Sequence, residues 1–242
     1  MGFYTSDQST IRITAHRGDS AHEHENTLAA FVRAISSGAD AIELDLRRTS
    51  DHVIVVHHDA AIRPFGKAIT TMSLAEAQAQ ALEAGFELPA FEEVCQVCRS
   101  RIVLDIELKE PGYEESVFEI ATTNLGQGQF VFRSFKDRSV RRLKEIDRRC
   151  EAGLIVGSRM GRAVGGIRSF VPLTRRLTRC HADFISPHWK VVRPGFMRRM
   201  GEINCPVVPW TVDSVTRARR LAHLSVAGIV TNDPAKVREA MK

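Results

Sequence analysis

The stretch "ITAHRGDSAHEHENTLAAFVRAISSGADAIELDLRRTSDHVIVVHHD", residues 13–59, decides the fold. An apolar run leads into His16-Arg17-Gly18, an amphipathic run follows, and a second apolar run carries Glu43 and Asp45. Strand, helix, strand is the unit from which parallel α/β sheets are built. Residues i and i+2 of a strand share a face, so Glu43 and Asp45 present two carboxylates side by side. Two carboxylates held together repel unless positive charge lies between them. The pair therefore points to a divalent cation.

The same alternation continues to the end of the chain. Strand-like runs fall at 11–15, 39–46, 102–108, 130–135, 153–156, 184–186, 207–212 and 228–231. Helical patterns lie near 26–36, 73–83, 91–99, 114–123, 137–148, 161–179, 193–202, 214–223 and 234–241. Asn26, Ser73, Asp137, Ser214 and Asp233 read as helix caps, the last with Pro234 at the first helical position. Eight strand-then-helix units in 242 residues without a linker predict one (β/α)8 TIM-barrel domain over 1–242. A doubly wound open sheet is the alternative, but no GxGxxG follows the first strand.

Run 53–58 breaks the alternation, because only a short turn separates it from the second strand and a parallel crossover needs a dozen or more residues. It is expected to fold back as a β-hairpin arm after strand 2. A two-residue turn on Asp51-His52 would set His58 opposite Asp45.

An apolar fraction of 43% and a charged fraction of 26% are ordinary for a soluble globular protein. No 18-residue apolar run suggests a membrane span, and no signal peptide opens the chain, so a cytoplasmic location is expected. Met1–Ser6 matches a short myristoylation pattern only loosely. The five cysteines are irregularly spaced, and the CxxC of Cys95 and Cys98 has no second pair to close a zinc site. Reduced thiols are expected.

The net charge of +5 gathers in Arg138, Arg141, Arg142, Arg148 and Arg149, and in Arg159, Arg162, Arg168, Arg175, Arg176 and Arg179. These read as solvated helix faces, with attraction of an anionic substrate or a weak membrane-surface contact as the alternative. Aromatic residues do not alternate with the arginines, which argues against nucleic acid. Nothing in the sequence signals an oligomeric state.

In a (β/α)8 barrel the active site lies at the C-terminal ends of the strands. The polar residues collect there: His16-Arg17-Gly18 after the first strand, Glu43 and Asp45 in the second, Asp105, Glu107 and Lys109 on one face of the third. Added to these are "RSF" at 133–135, "VVPWTVDS" at 207–214 and "GIVTNDP" at 228–234. With HRG, ENT, ELD and HD in this order, and "LDIELK" at 104–109, the chain resembles the short, single-domain glycerophosphodiester phosphodiesterases over nearly its whole length.

The resemblance implies a divalent cation on Glu43, Asp45 and Glu107. Three carboxylates without cysteine favour a hard ion, Mg²⁺ or Ca²⁺. It also implies His16 and His58 as a general acid/base pair. Arg17 offers a planar fork to the phosphate, and Lys109 adds positive charge or balances Glu107. His57 points away from His58 along the strand and reads as structural, although a slipped register would exchange them. Asn26 reads as a cap, Glu25 as a support for a catalytic group, and Trp210 as a wall for glycerol or a core residue.

The chain departs from the family pattern at His24, where proline is usual, at Asp213, usually asparagine, and at Asn232, commonly aspartate. The rim sequence "AAIRPFGKAIT" at 60–70 differs as well. The implied reaction takes a small-molecule phosphodiester to glycerol 3-phosphate and an alcohol, through a cyclic phosphate. The competing readings are lysophospholipase D-type cleavage, a toxin-like lyase of the same fold, and a non-catalytic barrel that binds phosphate esters.

Overall fold

The computed structural model describes residues 2–5, 10–158 and 170–241. Its elements are β1 (Arg12–His16), α1 (Leu28–Ser36), β2 (Ala41–Arg48), β3 (Ile54–Val56), α2 (Leu74–Glu83), α3 (Phe91–Cys98), β4 (Val103–Leu108), α4 (Glu114–Asn124) and β5 (Phe130–Ser134). There follow α5 (Asp137–Ile146), β6 (Ala152–Val156), α6 (Phe170–Cys180), β7 (Phe184–Pro187), α7 (Pro194–Glu202), α8 (Val215–Ala222), β8 (Gly228–Thr231) and α9 (Pro234–Ala240). Strands β7-β6-β5-β4-β2-β1-β8 pair in that order as a curled parallel sheet.

The apolar run at 207–212 does not form a regular strand. It still spans the gap between β7 and β8: Val208 N–H donates to Ile185 O at 2.9 Å, and Val212 N–H donates to Val230 O at 2.9 Å. Isolated parallel bridges join Ile185 to Val207 and His188 to Trp210. Pro206 and Pro209 have no N–H to give, so a continuous ladder cannot form here.

Strand β3 lies off the parallel path and pairs antiparallel with β2, Leu46 with Val56 and Arg48 with Ile54. This register is one residue away from the one expected of a two-residue turn. Thr49 N–H donates to Val53 O at 3.0 Å, which leaves the three residues Ser50, Asp51 and His52 in the loop. His52 takes the left-handed conformation (φ 67°) that three-residue hairpin loops use. His57 N–H therefore donates to Asp45 O at 2.9 Å, and the expected placement of His58 opposite Asp45 is corrected.

The caps follow local chemistry with three exceptions. Ser73 and Glu76 form a reciprocal capping box, and Asp233 accepts from Lys236 N–H at 3.1 Å with Pro234 in the first turn. Helix α1 is capped by Thr27 and not Asn26. Asp137 is the first residue within α5 and Lys136 holds the cap position, while Ser214 caps α8 without a side-chain hydrogen bond. Of the expected helix at 161–179, the described part is α6; Arg159, Arg162 and Arg168 lie outside the described residues. Arg141, Arg142 and Arg176 pair with Glu145, Glu115 and Asp137 on helix faces, as expected of a solvated charge run. Among the described residues no helix is long and apolar enough to cross a membrane.

Most of the core lies between sheet and helices, where Phe31, Leu44, Phe91, Ile106 and Phe132 are buried. A second cluster fills the inside of the sheet with Tyr4, Val131, Phe184, Val208 and Val230. Glycine makes room for its rings. A β-carbon at Gly153 would lie 2.3 Å from the Phe184 ring, and one at Gly228 would lie 2.9 Å from Tyr4 Cε1. Gly153→Ala is expected to destabilise the protein by about 1–3 kcal/mol through overpacking, measured by urea denaturation. An unchanged midpoint would mean that Phe184 can move aside.

Candidate active site

The parallel register assembles the site. His16 of β1 stands beside Glu43 of β2, and Asp45 of β2 beside Glu107 of β4. Glu43, Asp45 and Glu107 are 2%, 1% and 6% exposed, and they offer ligand atoms that all lie within 4.8 Å of one another. Their charge is balanced from two directions. Lys109 Nζ lies 2.8 Å from Glu107 Oε1 and donates to Asp45 Oδ1 at 3.1 Å. Arg17 Nε lies 3.1 Å from Asp45 Oδ2, and the Arg17 backbone N–H donates to Glu43 Oε2 at 3.1 Å.

The turn after β1 is shaped for this contact. Arg17 (φ 59°) and Gly18 (φ 83°) are both left-handed, and a β-carbon on Gly18 would lie 2.7 Å from the backbone of Ala30. Glu25 fixes the other end of Arg17 by accepting from Nη1 at 2.8 and 2.7 Å. The cation is thus stretched between Glu25 and Asp45.

Asn26 does something other than the capping expected of it. It is buried and left-handed (φ 61°), a conformation that asparagine tolerates better than most residues. Its Nδ2 donates to Asp45 Oδ2 at 2.9 Å, and its Oδ1 accepts from Asp45 N–H at 3.3 Å. The sequence signal was the asparagine itself, inside ENT.

The two histidines have different partners. His16 Nε2 is 3.9 Å from Glu43 Oε2, and its Nδ1 is 2.7 Å from Asn232 Oδ1. Burial, reinforced by the Arg17 charge, pulls its pKa down to about 4, so the ring is neutral at pH 7. His58 is half-buried, with Nδ1 2.8 Å from Asp59 Oδ1. Its carbonyl accepts from Arg47 Nε at 3.1 Å and Nη2 at 2.6 Å, which anchors the chain beyond β3. Burial lowers the His58 pKa against the opposing pull of Asp45. His57 stacks instead on Phe86, at 5.7 Å, and Phe86 stacks on His24, at 4.4 Å.

Two residues expected at the mouth lie apart from the carboxylates. Trp210 sits on the rim, its Nε1 donating to Ser186 O at 2.9 Å and its ring edge-on to Phe135 and His188. Asp105 shares a strand face with Glu107 but serves a deeper layer, where it accepts from Tyr4 Oη at 2.6 Å and pairs with buried Arg133. Arg133 Nη1 donates on to Ser186 Oγ at 2.9 Å. Sequence reasoning missed Arg133 as a buried cation, because an arginine in a strand shows no periodicity of its own.

The electrostatics of the three acids are uneven. Burial acts to raise Asp45, but Lys109 and Arg17 outweigh it and hold this carboxyl well below the usual carboxylate range. Burial and the neighbouring Asp45 charge push Glu43 up to about 7 and Glu107 up to about 8. Glu107 Oε1 is buried without an aligned hydrogen bond, although Lys109 stands near it. An all-oxygen donor set with an unsatisfied lone pair fits a hard divalent cation.

Comparison with known proteins shows the family. The model of the glycerophosphoryl diester phosphodiesterase family matches residues 16–236. The chain belongs to this family. It is 27% identical over 238 residues to a glycerophosphodiester phosphodiesterase of Caldanaerobacter subterraneus subsp. tengcongensis, covering 92% of this chain and 94% of that one. In fold it is similar to a phosphodiesterase of Oleispira antarctica solved in complex with the product sn-glycerol-3-phosphate, with a TM-score of 0.83, 21% identity, and coverage of 95% and 96% of the two chains. A glycerophosphodiester phosphodiesterase of Thermotoga maritima superposes with a TM-score of 0.77 at 24% identity, over 95% of this chain and 98% of that one. The family's matched span contains all three acids, both histidines, Arg17 and Lys109.

The raised pKa values of Glu43 and Glu107 give a linkage prediction. Both bind protons more tightly folded than unfolded, so their contribution to stability falls as pH rises through about 7 and about 8. The lowered histidines act in the opposite sense, but only below their ordinary value of 6.5. In chelator, the melting temperature is expected to fall between pH 6.5 and 8, and Mg²⁺ or Ca²⁺ should flatten that fall by binding the ionised acids. Thermal melts at fixed ionic strength, with and without metal, decide it.

Proposed function

We propose that this chain is a metal-dependent glycerophosphodiester phosphodiesterase that releases glycerol 3-phosphate and an alcohol, with His16 and His58 as general base and general acid. The observation that carries the reading is the convergence of three buried carboxylates, two histidines, Arg17 and Lys109 at one end of the parallel sheet. The names of its family relatives support the substrate class. We read the curled sheet, with 207–212 filling the place between β7 and β8, as a (β/α)8 barrel in one domain over 1–242. Its cysteines, all free, suit the cytoplasm.

Glu43, Asp45 and Glu107 would hold one Mg²⁺ or Ca²⁺, which when bound neutralises phosphate charge and orients the ester. Arg17, already clamped by Glu25, binds a phosphate oxygen through its guanidinium. Lys109 adds charge from the neighbouring strand end. His16, held neutral, takes the proton from an attacking glycerol hydroxyl at Nε2. His58, backed by Asp59, returns a proton to the leaving alcohol. Water then opens the cyclic phosphate by the reverse proton path. Trp210, with Phe135 beside it, offers a wall for the glycerol carbons.

His16→Ala and His58→Ala are each expected to lower kcat by about 10²–10⁴; undiminished turnover in either would remove that residue from the chemistry. Glycerophosphocholine and lysophosphatidylcholine assayed side by side test the substrate. Cleavage of the former, abolished by EDTA and restored by Mg²⁺ or Ca²⁺, is expected. Turnover of the lysolipid alone would reassign the enzyme to lysophospholipase D-type cleavage, and full activity in EDTA would overturn the metal site.

A further inference from the structure

Behind His16 runs a chain of side chains that starts in the C-terminal part of the sequence, at Asp213 and Asn232. His16 Nδ1 lies 2.7 Å from Asn232 Oδ1. Asn232 Nδ2 donates to Asp213 Oδ2 at 2.9 Å, and the Asn232 backbone N–H donates to Asp213 Oδ1 at 2.8 Å. Thr231 Oγ1 adds a third bond to the same carboxylate at 3.1 Å. Ser20 Oγ lies 2.8 Å from His16 O and 3.1 Å from Asn232 Oδ1, so it closes the other side of the amide.

The donor and acceptor roles along this chain are forced from one end. An ionised carboxylate only accepts. The end of the Asn232 amide that touches Asp213 must therefore be its NH₂, and the carbonyl end faces His16. A carbonyl also only accepts, so the hydrogen between them belongs to His16 Nδ1. A neutral imidazole with hydrogen on Nδ1 carries its lone pair on Nε2. That nitrogen is the one directed at Glu43.

We infer that Asp213, acting through Asn232, is a positioning residue that locks His16 in the Nδ1–H tautomer and leaves Nε2 open to accept a proton. The inference rests on the reading of His16 as general base. It follows the logic by which a carboxylate orients a catalytic histidine, with two differences, the first being that Asp213 is exposed. An amide stands between the carboxylate and the ring, so orientation is transmitted without a full negative charge touching the imidazole. With Asp213 neutralised, the amide is free to rotate by half a turn. Its NH₂ would then face Nδ1, the hydrogen would move to Nε2, and the ring could no longer accept there.

The test is ¹⁵N NMR of the full-length chain labelled at histidine, with and without Mg²⁺, since the two neutral tautomers have distinct nitrogen shifts and couplings. Wild type is expected to show His16 as Nδ1–H. Asp213→Asn is expected to populate Nε2–H and to lower kcat by about 10²–10⁴-fold at nearly unchanged KM, the upper end being the loss a wrong tautomer causes where the carboxylate touches the histidine directly. The exchanged variant D213N/N232D rebuilds an acceptor for Nδ1 and a donor behind it, and should recover both tautomer and turnover. An Nε2–H signal in wild type, or a tautomer unmoved by Asp213→Asn, overturns the inference. Because the tautomer is read without turnover, it stays separate from the base assignment. A fully active His16→Ala enzyme would remove the base but leave the tautomer lock measurable.

Discussion

Three carboxylates buried within 4.8 Å of one another are the constraint on which the rest of this molecule depends. Ionised carboxylates resist leaving water, and like charges at this range resist each other. The protein meets that demand with cations set at fixed heights. Lys109 and Arg17 stand at the mouth, and Arg133 lies below, where its charge lowers Glu43. The two arginines are in turn held by anions outside the triad, Arg17 by Glu25 and Arg133 by Asp105. The charge that remains is the one the proposed divalent cation would compensate.

The parallel sheet makes this crowding reproducible. Adjacent strands run about 4.8 Å apart, so aligned residues on β1, β2 and β4 bring His16, Glu43, Asp45 and Glu107 together without help from loops. The loops then add what a strand cannot. Arg17 and Asn26 use left-handed backbone to turn their side chains back onto Asp45. His58 arrives on the segment after β3, pinned by Arg47 on one side and by the His57–Phe86–His24 stack on the other. Rigid strands thus carry the acids and His16, while Arg17, Asn26 and His58 ride on braced turns.

Much of this was legible in the residues. Strand–helix alternation, the paired carboxylates of β2 and the third acid on β4 are periodic features, and the structure keeps them. The failures have separate causes. The run at 207–212 is apolar enough for a strand, but two prolines deny it a ladder. The hairpin register moved by one because His52 accepts a positive φ, which lengthens the turn. Asparagine caps helices well, but Thr27 takes that task here and Asn26 binds a buried carboxylate. Period alone groups Asp105 with Glu107, whereas its height in the sheet assigns it to Arg133 and Tyr4.

By itself, the sequence determined which residue types lie at which strand ends, because side-chain alternation along a strand is local and needs no partner. It therefore pointed to the acids, the histidine at the end of β1 and the α/β class. Only the tertiary structure decided which charge answers which. Asn232 meets His16 across 216 residues, Lys109 reaches Asp45 across 64, and Arg133 meets Asp105 across 28. Such pairings form over about 3 Å and depend on strand order, register and turn conformation together. No periodicity along the chain encodes that combination.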